Sequence, residues 1–195
     1  MKALDLSADI LSKEIVVDKT LSRLIGLSAF IILTALGAAV RIPLGFTPVP
    51  ITLQTFFVLL SGAVLGRNWG ALSQIGYIFL GVLGLPIFSG AQSGTVYLFG
   101  PTGGYLAGFV LSSWITGALL EKSQNSALKS ALVMSVACLG GIYLFGVLGL
   151  AIFLKSSITS ALALGFLPFI PGDIIKIAVA GLLLPKIKSR CREIF

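Results

Sequence analysis

Residues 68–120 read NWGALSQIGYIFLGVLGLPIFSGAQSGTVYLFGPTGGYLAGFVLSSWITGALL, a stretch without aspartate, glutamate, lysine or arginine. A soluble domain carries about a quarter charged residues, so a charge-free run of this length is typical of a segment that lies in lipid. Glycine and proline collect in its middle, over 86–102, between two apolar stretches of helical length. The stretch therefore predicts two membrane-spanning helices, at about 69–85 and 103–121, joined by a loop.

The rest of the chain has the same character. Of its 195 residues, 56% are hydrophobic and 11% are charged. The remaining apolar runs do not alternate over about ten residues, as transmembrane β-strands would. They predict four more helices, at about 21–41, 53–66, 128–154 and 172–187. We expect an all-α, polytopic membrane protein with six transmembrane helices.

Three regions are expected along the chain. Residues 1–20 are polar and mixed in charge, and they form either a short surface helix or a tail. Residues 21–187 form the transmembrane substrate-binding domain, and residues 188–195 form a basic tail. A cleaved signal peptide is not expected, because the polar segment is long and further spans follow it.

The positive charges predict the orientation in the membrane. With the N-terminus inside, eleven lysines and arginines lie on the inner side and two, Arg41 and Lys155, lie outside. Cytoplasmic loops carry the excess of positive charge, so both termini are expected in the cytoplasm. The outer loops are then 42–52, 86–102 and 155–171, which hold seven of the eight prolines. These loops are apolar, so we expect them to fold back and line a hollow left by short helices.

Two ionisable residues lie in a predicted span away from the basic ends, within residues 169–176, FIPGDIIK. Asp173 and Lys176 are three residues apart, which places both on one helix face. One interpretation is structural: Asp173 caps the helix N-terminus and Lys176 pairs with it. However, a lysine in the first turn opposes the helix dipole, which favours a function in which it holds an anion such as a small carboxylate.

A glycine-rich segment precedes the fourth predicted helix, at residues 100–106, GPTGGYL. Gly103 and Gly104 would allow a ligand to approach the backbone closely, and Tyr105 would stack on it or bond to it. The alternative is a tight turn that enters a packed helix. Neutral polar side chains form a third group of candidate ligand contacts near the outer ends: Thr52, Gln54, Ser89 and Gln92.

Several functions are not expected. The net charge is +7, but the positive charges punctuate apolar runs instead of clustering with aromatic residues, which argues against nucleic-acid binding. There is no histidine, and the spacing of Cys138 and Cys191 suits neither zinc nor a disulfide framework. The pattern Gly-x-x-x-x-Gly-Lys is absent, so no ATP site is recognisable. We expect no metal, no cofactor and no enzymatic activity.

Four motifs occur in one order along residues 22–187: IPL (42–44) with PVPITLQTF (48–56), GVLGLPIF (81–88), GPTGGYL (100–106) and FIPGDIIK (169–176). With these motifs the chain resembles the BioY family, the biotin-specific substrate-binding (S) components of energy-coupling-factor transporters. The resemblance implies the S-component fold and high-affinity capture of biotin at the outer face of a prokaryotic plasma membrane. It also implies partners: a transmembrane (T) subunit and two cytoplasmic ATPase subunits.

The resemblance places Asp173, Lys176, Gly103, Gly104 and Tyr105 in the binding pocket, and we add Ser89 and Gln54 as polar lining. Lys176 suits the biotin carboxylate, and Asp173 suits the N–H groups of the ureido ring. S components often carry Ala-x-x-x-Ala in the inner part of helix one for docking. Here that part reads GLSAFII (26–32), and Ala35-x-x-x-Ala39 lies nearer the outer end, which leaves the docking face open.

Three competing functions stay open. A proton-coupled carrier would use Asp173 as its proton site, but such carriers usually have more spans and inverted repeats. An intramembrane enzyme would need a nucleophile with a partner base, which the sequence does not offer. The same fold would also serve another vitamin.

Overall fold

The computed structural model describes residues 19–121 and 126–191, which are mostly helical. The helices are α1 (Lys19–Ala39), α2 (Gln54–Val82), α3 (Gly103–Leu120), α4 (Ala127–Leu154), α5 (Ile158–Gly165) and α6 (Ile170–Cys191). Two-residue strands, β1 (Arg41–Ile42) and β2 (Ile51–Thr52), pair antiparallel. Short 3-10 turns cover Thr95–Phe99 and Leu167–Phe169.

Helix α2 is a hairpin that reverses at Gly66. Gly66 has φ +80° and ψ 174°, a conformation essentially restricted to glycine. Across the reversal, the Gln54 amide donates to the Tyr77 hydroxyl at 2.9 Å, so the two ends of α2 lie side by side. The predicted helices 53–66 and 69–85 therefore correspond to the two antiparallel arms of α2, which lie on either side of Gly66.

The helices present the composition expected in lipid. Within the described residues, four helical stretches are long and apolar enough to cross a membrane by length and composition: Thr20–Ala39, Gly103–Leu120, Ala127–Leu154 and Ile158–Ile187. Large apolar side chains are exposed on their outer surfaces, including Ile25, Leu36 and Ile174. Exposed apolar surface on this scale marks a protein whose surroundings are lipid.

The structure departs from the predicted boundaries in three places. The loop expected over 155–171 contains α5 and a 3-10 turn, because the Ser157 hydroxyl caps α5 by accepting from the Ser160 N–H at 3.2 Å. The helix expected over 172–187 begins at Ile170 and continues to Cys191, into the predicted basic tail. At the other end, Lys19 and Thr20 already belong to α1, and the rest of the predicted polar segment lies outside the described residues.

A layer of polar side chains is buried in the middle of the bundle around Gln74. Its amide donates to the hydroxyls of Ser61 and Ser73, at 3.1 Å in each case. Ser61 in turn bonds Ser113 of α3 at 2.8 Å, and Gln74 reaches Thr34 of α1 at 3.4 Å. Hydrogen bonds between helices replace the hydrophobic driving force that lipid cannot supply. The layer therefore ties α1, both arms of α2 and α3 together.

The connections near β1 and β2 define one end of the bundle, which we call the loop end; the Gly66 reversal lies at the other end. Here Val49 and Phe88 are buried, and the Phe88 ring packs edge to face against Tyr77 of α2 at 5.6 Å, which confirms that the loop 86–102 folds back onto the helices. Within this loop, Tyr97 stacks on Phe88 at 4.6 Å. Val96 and Phe99 behave differently, with 81% and 82% of their surface exposed. They are three residues apart in a 3-10 turn, so they share its outward side while Tyr97 faces inward.

Candidate functional site

A cavity at the loop end lies between α2, α3, α4 and α6 and is covered by two loops. Its empty space is about 550 Å³, a value that includes the open mouth. The lining residues are Val49, Pro50, Thr52, Gln54, Thr55, Tyr77, Ser89, Tyr97, Thr102, Tyr105, Leu106, Phe109, Ile142, Tyr143, Phe169, Asp173 and Lys176. Most of the surface area of this wall is apolar, and polar side chains from all of these elements are interspersed in it.

The strongest polar feature is the Asp173–Lys176 pair on the first two turns of α6. Lys176 Nζ lies 2.5 Å from Asp173 Oδ1, with 13% and 7% of the two side chains exposed. The ammonium also donates to the Thr52 carbonyl and the Thr55 hydroxyl, each at 2.8 Å. An ammonium has three N–H donors, so the pair is neutral and satisfied in the protein alone. The predicted shared helix face is confirmed.

Asp173 is held by several donors besides Lys176. The Thr55 hydroxyl donates to Oδ1 at 3.1 Å, and the Tyr143 hydroxyl donates to Oδ2. The Cys138 thiol lies 3.8 Å from Oδ2, which makes it a weak donor. Sequence reasoning missed Thr55, Tyr143 and Cys138 as partners. The one signal for Tyr143 is the glycine pair Gly140-Gly141 just before it, inside an otherwise apolar helix.

A second polar group lines the cavity near Gln54. The Thr52 hydroxyl donates to Gln54 Oε1 at 3.2 Å. The Tyr77 hydroxyl, which accepts from the Gln54 amide, donates to the Ile87 carbonyl at 3.0 Å. Ser89 is also buried, and its hydroxyl has no partner among the described residues. A buried hydroxyl without a partner is uncommon in folded proteins, so one that lines a cavity is available to a ligand.

Tyr105 lines the cavity with its ring, and its hydroxyl donates to the Gly165 carbonyl at 2.7 Å. The two glycines before it are not among the lining residues. A Cβ at Gly103 would lie 3.2 Å from Leu98 Cα, and one at Gly104 would lie 3.1 Å from Gly149 Cα. The close approach that these glycines allow is therefore to protein: the 3-10 turn on one side and α4 on the other.

The structure thus brings five of the seven predicted site residues to one cavity: Gln54, Ser89, Tyr105, Asp173 and Lys176. Gln92 is exposed and bonds weakly to the Gly90 carbonyl at 3.5 Å. In the part of the cavity wall formed by the loop 86–102, burial raises the pKa of the Tyr97 hydroxyl above its ordinary value. Over the described ranges, no three carboxylates or thiols lie close enough together to hold a metal ion.

Comparison with known proteins identifies relatives that align with this chain over most of its length and nearly all of theirs. The "Biotin transporter BioY" of Thermotoga maritima is 44% identical over 167 residues, covering 86% of this chain and 96% of that protein. The "Probable biotin transporter BioY" of Pyrococcus horikoshii is 40% identical over 160 residues, covering 82% and 92%. Both relatives are described as transporters, the second as a probable one.

A solved structure shares the fold. It is described as "Crystal structure at 2.1 A of the S-component for biotin from an ECF-type ABC transporter", and it matches with a TM-score of 0.82 over 90% of this chain and 95% of that chain. Sequence identity is 24%, so this likeness shows the fold alone. The profile of the BioY family matches residues 11–193. With nearly all of its length matched by this profile, the chain belongs to the BioY family.

Proposed function

We propose that this chain captures biotin with high affinity at the outer face of a prokaryotic plasma membrane, as the substrate-specific subunit of an energy-coupling-factor transporter. The observation that carries the proposal is the neutral Asp173–Lys176 pair in the wall of the cavity at the loop end. Relatives described as biotin transporters supply the ligand.

The chemistry of biotin suits this cavity. Its carboxylate is an acceptor suited to Lys176, and its ureido ring has two N–H donors suited to Asp173; because these two side chains are in contact, they would have to separate for one extended ligand to bind both. Lys176 is already fully bonded, so the carboxylate would displace one of its present acceptors. The Ser89 hydroxyl and the Gln54 amide would bond further polar atoms of the ligand, and Tyr105 would pack against it. Gly103 and Gly104 would contribute indirectly, because their lack of a side chain lets α3 pack closely enough to bring Tyr105 to the cavity.

The proposed topology has six crossings, with each arm of α2 counted as one. An even number of crossings places both termini on the same side, and the bias of positive charge assigns that side to the cytoplasm. The cavity at the loop end then faces outward. In a Cys191→Ala background, we expect a membrane-impermeant thiol reagent to label Ser93→Cys in whole cells but not Asn68→Cys. The opposite pattern would invert the topology.

Transport itself is proposed to need partners, namely a T subunit and two ATPase subunits. The absence of a recognisable ATP-binding motif in the sequence supports this division of labour. Cells that express the chain with these partners should accumulate labelled biotin, and cells that express it with inactive ATPases should not. Uptake that ignores the ATPases and follows the proton gradient would favour a proton-coupled carrier instead.

The decisive experiment is binding of labelled biotin to the purified chain in detergent, with Lys176→Ala and the matched control Lys155→Ala. Lys155 is exposed and lies outside the cavity, so its loss should leave binding unchanged. Binding that is tight in the wild type and in Lys155→Ala, but lost in Lys176→Ala, supports the site. Folded wild-type protein that does not bind biotin would refute the assignment, and competition with other vitamins would then identify the ligand.

A further inference from the structure

Helix α4 is irregular beside the cavity. Residues Cys138–Tyr143 form a π segment, in which the Leu144 N–H reaches back five residues to the Leu139 carbonyl. A π turn adds one residue to an α-helix and is frequent at functional sites. Ile142 and Tyr143, at the end of this segment, both line the cavity.

A single side chain of α3 is built into this irregular turn. The Ser112 hydroxyl donates to the Ala137 carbonyl at 2.6 Å and accepts from the Ile142 N–H at 2.9 Å. Those two backbone groups are five residues apart, so the hydroxyl stands between the natural partners of a π turn. A side chain that inserts into the hydrogen-bond ladder is a recognised cause of helix distortion.

The approach of the two helices is tight at this point. Ser112 is fully buried, and a Cβ at Gly141 would lie 2.8 Å from the Ser112 nitrogen. Gly141 therefore lets α3 come close enough for the hydroxyl to enter α4. The glycine and the serine act together to keep the π turn open.

The π turn fixes the direction of Tyr143. Closing it to regular α geometry would remove one residue from the turn and rotate the side chains on one side of it by about 100° relative to the other. The Tyr143 hydroxyl, which donates to Asp173 Oδ2, would then leave the carboxylate. Asp173 Oδ2 would lose the stronger of its two donors and keep only the weak Cys138 thiol.

We propose that Ser112, which is not among the residues that line the cavity, is a positioning residue for ligand binding. Its hydroxyl holds the π turn of α4 and so places Tyr143 on Asp173. The inference rests on the proposed function, because its measure is the affinity for biotin.

The neighbouring Ser113 provides a matched control. It is equally buried on the same helix, but its hydroxyl bonds Ser61 of α2 instead of α4. Loss of the Ser113 hydroxyl removes one buried hydrogen bond of α3 and loss of the Ser112 hydroxyl removes two, so we expect both alanine variants to lose thermal stability, Ser112→Ala the more. Only the loss of the Ser112 hydroxyl should displace Tyr143 from Asp173.

The test is a double-mutant cycle on biotin affinity with Ser112→Ala, Tyr143→Phe and the double variant. Each single variant should weaken binding by about tenfold, as expected for one hydrogen bond to a charged group. The double variant should bind like Tyr143→Phe alone, and Ser113→Ala should stay within about twofold of the wild type. A multiplicative loss in the double variant, or an equal loss in Ser113→Ala, would reduce Ser112 to a packing role and overturn the inference.

Ser112→Cys keeps the inference testable if Ser112→Ala does not fold. The thiol fills the space but is a weak donor and acceptor, so its affinity should fall between those of the wild type and Tyr143→Phe. Wild-type affinity in Ser112→Cys would overturn the inference. The proposed function fails separately, if the wild type itself does not bind biotin.

Discussion

Replacing Lys176 by methionine should destabilise the empty protein as well as abolish binding. The substitution keeps most of the side-chain volume but removes the positive charge next to Asp173, whose side chain is 7% exposed. Removing one partner of a buried ion pair costs about 3–5 kcal/mol, because the other charge is left uncompensated. Asp173 keeps the hydroxyls of Thr55 and Tyr143, so we expect the lower end, about 3 kcal/mol.

The assay is thermal unfolding in detergent without ligand. For a chain of this size, a loss of about 3 kcal/mol corresponds to a fall in Tm on the order of 6–12 °C. The double variant Asp173→Asn/Lys176→Met removes both charges and should recover most of that fall, because an amide is cheaper to bury than an unpaired carboxylate. Lys155→Met, at an exposed position, is the control and should leave Tm unchanged.

The reasoning would be refuted by a Lys176→Met variant as stable as the wild type, or by a double variant less stable than the single one. Either result would mean that Asp173 is neutral or well solvated in the empty protein. Biotin binding should be lost in the single and double variants alike, so the stability measurement separates the structural role of the pair from its proposed role in binding.

Three further predictions concern the hairpin, the unpaired hydroxyl and the buried polar layer. Gly66→Ala should lower the free energy of unfolding by about 1–3 kcal/mol, because its backbone conformation is strained for any side chain, whereas Gly45→Ala, with open space around it, should have little effect in the same thermal assay. Ser89→Ala should leave Tm unchanged or raise it, and it should weaken biotin binding by about tenfold; unchanged affinity would remove Ser89 from the site. Gln74→Leu should destabilise by about 1–2 kcal/mol by removing the buried hydrogen bonds from its amide to Ser61 and Ser73, and equal or higher stability would show that the polar layer is dispensable.

Much of the fold is readable from the sequence because lipid imposes a simple rule. Charge-free runs of sufficient length become helices, and the charged position Arg67 marks where α2 turns. The rule does not predict where a helix ends inside an apolar run. Helix α5 lies in a segment that is as apolar as its neighbours, so composition does not indicate where it begins or ends. The hydroxyl of Ser157, a local capping signal, marks that boundary.

The charged residues of the candidate site could be predicted from the sequence. Asp173 and Lys176 stand out because a charge in an apolar helix needs a reason, whereas Tyr143 is one aromatic residue among many. Its contact with Asp173 depends on a π turn that Ser112 holds from another helix, and no local pattern reports a contact of that kind. Gly103 and Gly104 were predicted to contact the ligand, but in the structure they contact protein backbone. Small residues allow close approach of a ligand or of a neighbouring helix, and the sequence does not distinguish the two.

Because Asp173 and Lys176 lie one turn apart on α6, the helix carries its own counter-ion. Pairs that join two helices are pulled apart when the helices slide, and each charge then needs a new partner or water. A pair within one helix travels with it as a compact dipole. Rigid movement of α6, in any direction, therefore does not require a bare charge to enter hydrocarbon. The electrostatic barrier to reorienting this part of the molecule is set by a dipole and not by two separated ions.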